Sequence, residues 1–153
     1  MHATIWRVMR ATTSSASWAL PPVARSVVEA RRHVRAALAD WQLNSLSDAA
    51  QLLTSEIVTN SLLHARSAIR LTIEQTGDGV RIAVTDGSAV VPTMRPRSTS
   101  ATTGRGLQLL DRLADQWDTE LTDGGKTVWF TLRSDRDPWR EVDEADAAGE
   151  ARR

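Results

Sequence analysis

The chain has 153 residues with 19 basic and 19 acidic side chains, which gives one domain with room for a real core and no bulk charge to draw it to nucleic acid or an anionic membrane. It has no cysteine, so disulfides and thiolate metal sites are excluded and a reducing cytoplasm is the simplest location. No apolar run approaches the roughly 18 residues of a membrane span, and residues 1–17 lack the apolar stretch of a secretory signal.

Residues 1–16 show no convincing period and read as a loose arm or a short edge strand, and Pro21-Pro22 stops whatever precedes it and starts a helix. In Val23–Trp41 the apolar residues Val27, Ala30, Val34, Ala37, Leu38 and Trp41 step by three and four, predicting an amphipathic helix. A second helix is predicted over Leu46–Ala65, with Ser45 and Asp48 spaced as a capping box. Ala68–Glu74 alternates as a half-buried strand, and Gly77-Asp78-Gly79 turns it into Val80–Asp86 as an antiparallel hairpin. Val90–Thr103 has two prolines, many hydroxyls and little periodicity, and reads as a mobile loop. Leu107, Leu110, Leu113, Ala114 and Trp117 mark a third helix. Asp123-Gly124-Gly125 then joins Thr119–Thr122 to Lys126–Leu132 as a second hairpin. The charged, alanine-rich stretch 134–153 reads as a disordered tail. Three helices against an antiparallel or mixed sheet make a two-layer α/β sandwich.

The second helix carries the most informative pair. Glu56 and Asn60 lie about 40° apart around its axis, on an arc shared or flanked by Ala49, Leu52, Leu53, Ile57 and Leu63, while Asp48, Gln51, Ser55 and Thr59 form the polar side. A carboxylate and an amide in an apolar stripe either satisfy each other in a core or face a polar ligand. Two further signals favour a ligand. Asp86 ends its strand in phase with Val80, Ile82 and Val84, so an acid points where the core residues point. Gly104-Arg105-Gly106-Leu107 opens a helix, where backbone N–H groups form an anion site.

Glu56-Ile57-Val58-Thr59-Asn60, Asp86-Gly87-Ser88 and Gly104-Arg105-Gly106-Leu107 together resemble the N, G1 and G2 boxes of the GHKL (Bergerat-fold) ATPases. Residues 17–133 are covered, and Ser55–Ala65 is most similar to bacterial anti-sigma-factor serine/threonine kinases. The resemblance implies helices on a mixed, largely antiparallel sheet, with ATP and Mg²⁺ as ligands. Asn60 would bind magnesium through its amide oxygen, and Glu56 would be the general base. Asp86 would accept from the adenine amine, with Ser88 beside it. Gly104, Arg105, Gly106 and Leu107 would serve the phosphates, Val90–Thr103 would be the lid, and His64 is a secondary candidate. Each has a plainer alternative: a backbone-bonded core amide for Asn60, an arginine pair for Glu56, a turn former for Asp86, a loop-to-helix turn for the glycines and a structural histidine for His64.

Two departures from the family pattern stand out. Serine replaces glycine in Asp86-Gly87-Ser88, and the last-strand Gly-Thr-x-Val reads Gly125-Lys126-Thr127-Val128, which moves the hydroxyl to the other face of the strand. The implied function is transfer of the ATP γ-phosphate to a serine or threonine of an anti-anti-sigma (STAS-type) protein by a cytoplasmic regulator that also binds a sigma factor. A homodimer is one arrangement open to it. An ATP-switched binding module without kinase activity is the alternative. Only a short arm precedes the ATP domain, and no transducer domain is evident, so a complete histidine kinase, topoisomerase or chaperone is not expected.

Overall fold

A computed structural model describes residues 14–88 and 102–140. The chain runs β1 (Ser15–Leu20), α1 (Arg25–Asp40), a 3₁₀ turn (Asn44–Leu46), α2 (Ser47–His64), β2 (Ile69–Gln75), β3 (Gly79–Asp86), α3 (Thr102–Leu113), β4 (Gln116–Thr122) and β5 (Gly125–Arg133). The strands form one sheet in the order β1-β2-β3-β5-β4, every neighbouring pair antiparallel. The three helices and this sheet make the expected α+β sandwich.

Alternation in the strands decides which face the helices cover. Leu71, Ile73, Val80, Ile82, Val84, Val128, Phe130 and Leu132 are buried on the helix side, each large side chain contributing about 1.5–3 kcal/mol by leaving water. The opposite face is polar and bonded across strands, with Ser17 to Thr72 at 2.9 Å and Thr85 to Thr127 at 2.7 Å. Arg81 lies 5.0 Å over the Trp129 ring on that face. At the sheet edge, the Trp18 ring stacks on His33 at 4.2 Å and ties β1 to α1. The strand-to-helix turn is held from inside, because buried Ser26 donates its hydroxyl to the Pro21 carbonyl at 2.6 Å. α1 closes through Gln42 at φ 58°, the left-handed cap that lets Leu43 N–H reach the Leu38 carbonyl.

Four sequence expectations need correction. The Ser45–Asp48 capping box does not form: α2 starts at Ser47, its N-cap is Leu46, and no side chain caps it, because a 3₁₀ turn already leads the chain into the helix. Leu63 is exposed, not part of the buried arc, whereas Ala50, Thr54, Val58 and Ser61 are buried. α2 packs on α1, α3 and β3 at once, so its buried surface wraps around the axis rather than forming one stripe. α3 ends at Leu113, and Trp117 belongs to β4, where it pairs with Phe130. Finally, α3 starts at Thr102, so the last two residues of the expected lid are helical. The rest of that lid, through residue 101, lies outside the described residues, as do 1–13 of the arm and 141–153 of the tail. Past β5 the chain is bonded to its neighbours: Ser134 N–H and hydroxyl both donate to the Asp78 carbonyl, and Arg136 pairs with Asp115 at 2.7 Å.

Candidate functional site

Asn60 lies one turn before the end of α2 and is 6% exposed. Its Oδ1 is buried and accepts no hydrogen bond among the described residues. A buried amide oxygen left unpaired costs about 1–3 kcal/mol, and native proteins seldom keep one without a use for it. The plainer alternative, a core amide bonded to backbone, would need a donor on Oδ1 that is not found among the described residues. One turn earlier Glu56 is half-buried, and among the described residues no hydrogen bond or ion pair engages its carboxylate. An arginine partner for Glu56 is therefore also missing among them. The polar side of the same helix is quiet by contrast. Gln51 donates to Ser47, Ser55 to the Gln51 carbonyl and Thr59 to the Ser55 carbonyl, at 2.6–2.9 Å.

Asp86 ends β3 on the helix side, as its phase requires, and is 4% exposed. Its Oδ1 accepts from the Ser88 backbone N–H at 2.8 Å. That bond shapes the turn without a left-handed residue at either Gly87 or Ser88, since neither has positive φ. Serine in place of glycine is thus compatible with the loop. Gly125 faces Asp86 from the neighbouring strand, and a Cβ there would collide with the Asp86 carbonyl oxygen. The glycine is what allows β5 to lie this close.

The residue that the sequence reading passed over is Lys126. It pairs with Asp86 in the β3–β5 register and is 1% exposed. Its ammonium donates to Asp86 Oδ1 at 3.2 Å and lies 3.1 Å from Oδ2, a buried ion pair at the inner end of both strands. Oδ2 nevertheless receives no directed hydrogen bond. The signal was available: Lys126 is the chain's only lysine and shares its strand phase with Val128, Phe130 and Leu132. Thr127 points to the far face, where its hydroxyl meets Thr85, as the displaced hydroxyl implied.

The remaining candidates separate. Gly104, Arg105 and Gly106 fall within the first turns of α3, not ahead of it. Leu107 is 1% exposed in the hydrophobic core, so it anchors the helix. His64 is exposed at the α2 terminus. Ser88 is buried beside Asp86. α2 contacts both β3 and α3, which brings the helix of Glu56 and Asn60 against the strand of Asp86 and the glycine-bearing helix. Asn60 Oδ1 and Asp86 Oδ2 each lack a directed hydrogen bond among the described residues and keep the capacity to accept one. Among the described residues no group of three or more potential ligands could hold a metal by itself, and no helix is long and apolar enough to cross a membrane.

A family model for the histidine kinase-like ATPase domain matches residues 20–132. A search of the curated proteins finds no match. Among solved structures, the chain is similar to the RsbU and RsbW domains of Rv1364c from Mycobacterium tuberculosis, with 22% identity and a TM-score of 0.59. That likeness covers 78% of this chain and 32% of the other, so this chain spans about a third of its length, and the likeness is one of fold.

Proposed function

Since the chain belongs to the histidine kinase-like ATPase family, we propose that it is an ATP-binding regulator of the anti-sigma kind that phosphorylates a partner protein on serine or threonine. The observation that supports this most is Asn60 Oδ1, a buried acceptor without a partner among the described residues, on the helix that also carries the half-buried Glu56. Asn60 would hold a magnesium ion, whose role is to offset charge on the phosphates. Asp86 would take the adenine amine. Glu56 would accept the proton of the attacking hydroxyl as its oxygen bonds to the γ-phosphorus, the bond to the bridging oxygen breaks and ADP leaves. The anti-sigma assignment rests on the resemblance of Ser55–Ala65 to those kinases and gains support from the fold shared with a structure containing an RsbW domain. The substrate would be a STAS-type anti-anti-sigma protein, and a sigma factor the second partner, in a bacterial cytoplasm.

The test is incubation with γ-labelled ATP, magnesium and an anti-anti-sigma protein encoded beside this chain. Label on a serine or threonine of that protein is the expected result. Magnesium-dependent ATP binding without transfer would replace the kinase with an ATP-switched binding module. Absence of ATP binding would remove the nucleotide reading altogether.

A further inference from the structure

Lys126 is fully buried in a strand whose other inward side chains are apolar. An ammonium in such a place has to be paired, and Asp86 pairs it. The pairing leaves capacity on both sides. Of three N–H donors on the ammonium, one is directed, to Oδ1 at 3.2 Å, while Oδ2, in ion-pair contact at 3.1 Å, receives no directed hydrogen bond and can still accept one. A spare donor and a spare acceptor therefore sit side by side, at the point where β3 and β5 come together at Gly125. The pair is neutral as a whole, so covering it with an uncharged ring strands no charge.

We propose that Lys126 is a specificity-determining residue of the nucleotide pocket, donating a hydrogen bond to ring nitrogen N1 of adenine while Asp86 accepts one from the 6-amino group. The proposal rests on the reading of Asp86 as the adenine acceptor and extends it from one atom of the base to two. Adenine carries a donor and an acceptor next to each other on this edge, the complement of an acceptor beside a donor. Guanine in the same pose brings a carbonyl to the carboxylate and an N–H to the ammonium, two meetings of like with like. A site built from buried polar groups rejects a mismatched edge strongly because its own groups are left unpaired. A lysine suits the task, since its compact head can keep one donor on Asp86 and turn another to the base.

The test compares ATP with two analogues by calorimetry on the unaltered protein with magnesium. In 1-deaza-ATP a C–H replaces N1; in purine riboside triphosphate the 6-amino group is missing. Each is expected to bind more weakly than ATP by about tenfold to a hundredfold, the usual worth of a hydrogen bond to a charged group. In Lys126→Met, 1-deaza-ATP and ATP should bind alike while the 6-position is still discriminated, which a purely structural lysine would not produce. The analogue comparison on the unaltered protein decides the matter even if that variant does not fold. Equal affinity of ATP and 1-deaza-ATP for the unaltered protein overturns the role of Lys126 and leaves ATP binding standing. Failure of all three nucleotides to bind overturns instead the ATP reading on which the proposal rests.

Discussion

Where β3 ends beside the start of β5, Asp86 and Lys126 hold each other across the two strands with almost no exposure. On α2, Asn60 is buried and Glu56 half-buried, with no hydrogen bond or ion pair to either among the described residues. Both regions put polar groups where apolar ones would be cheaper, yet they solve the problem in opposite ways. The strand pair is balanced in charge before any ligand arrives, with hydrogen-bonding capacity to spare, so it offers a rigid edge. The helix pair has no such counter-charge among the described residues, which leaves Asn60 Oδ1 and the Glu56 carboxylate free to accept from a ligand or from water. On the proposed function, recognition of the base and chemistry at the phosphate would thus be separated in stability as well as in space.

The most severe way to break this contrast is at the strand pair. Asp86→Asn leaves a buried ammonium without its counter-charge, and removing one partner of such a pair costs about 3–5 kcal/mol. Thermal unfolding should shift downward on the order of 10 °C, and ATP binding should weaken with it. Asp86→Asn combined with Lys126→Met removes both charges, so urea denaturation should show the double variant more stable than Asp86→Asn alone. If the two changes simply add, the pair does not interact as its geometry requires.

Next in size is the helix pair, whose two members should fail differently. Glu56→Gln keeps shape and loses basicity, so phosphoryl transfer should drop about 10²–10⁴-fold while ATP still binds. Asn60→Ala should weaken magnesium-ATP binding. Because Asn60 Oδ1 has no partner to lose among the described residues, that variant should forfeit packing alone and lose about 1 kcal/mol or less, well short of what breaking a buried hydrogen-bond network costs. A clear loss of stability in Asn60→Ala, or an undiminished rate in Glu56→Gln, would return the pair to a structural role.

The two regions also differed in how far the sequence revealed them. Asp86 was legible because strand alternation is strict: a residue in phase with Val80, Ile82 and Val84 has one place to point. Glu56 and Asn60 were legible as a spacing, but the helix around them was not, since α2 packs on three elements and its burial does not follow one stripe. That is why Leu63 was placed inside and Val58 was overlooked. Lys126 was hidden by its type. A charged residue in a strand is ordinarily read as facing water, and only its tertiary partner, 40 residues earlier in the chain, reverses the expectation. Trp117 was assigned to a helix because Leu110, Leu113 and Trp117 keep a helical step across the helix–strand junction at 114–115, which no glycine or proline marks.

The gentlest test concerns one position beside that lysine. If the inner phase of β5 belongs to Lys126, then Thr127 is on the far face and has no part in the nucleotide site, although the family pattern has a threonine in this short motif. Thr127→Val removes one hydroxyl, which bonds Thr85 at 2.7 Å on a half-buried surface. The lost bond is worth about 0.5–1.5 kcal/mol, and valine recovers part of it through its preference for strands. Stability should therefore change by about 1 kcal/mol or less, and ATP affinity should not change. Affinity for ATP falling in Thr127→Val while stability holds would mean that the hydroxyl reaches the base. The inward phase of Lys126 in β5 would then be wrong, and with it the division between a paired strand end and an unpaired helix.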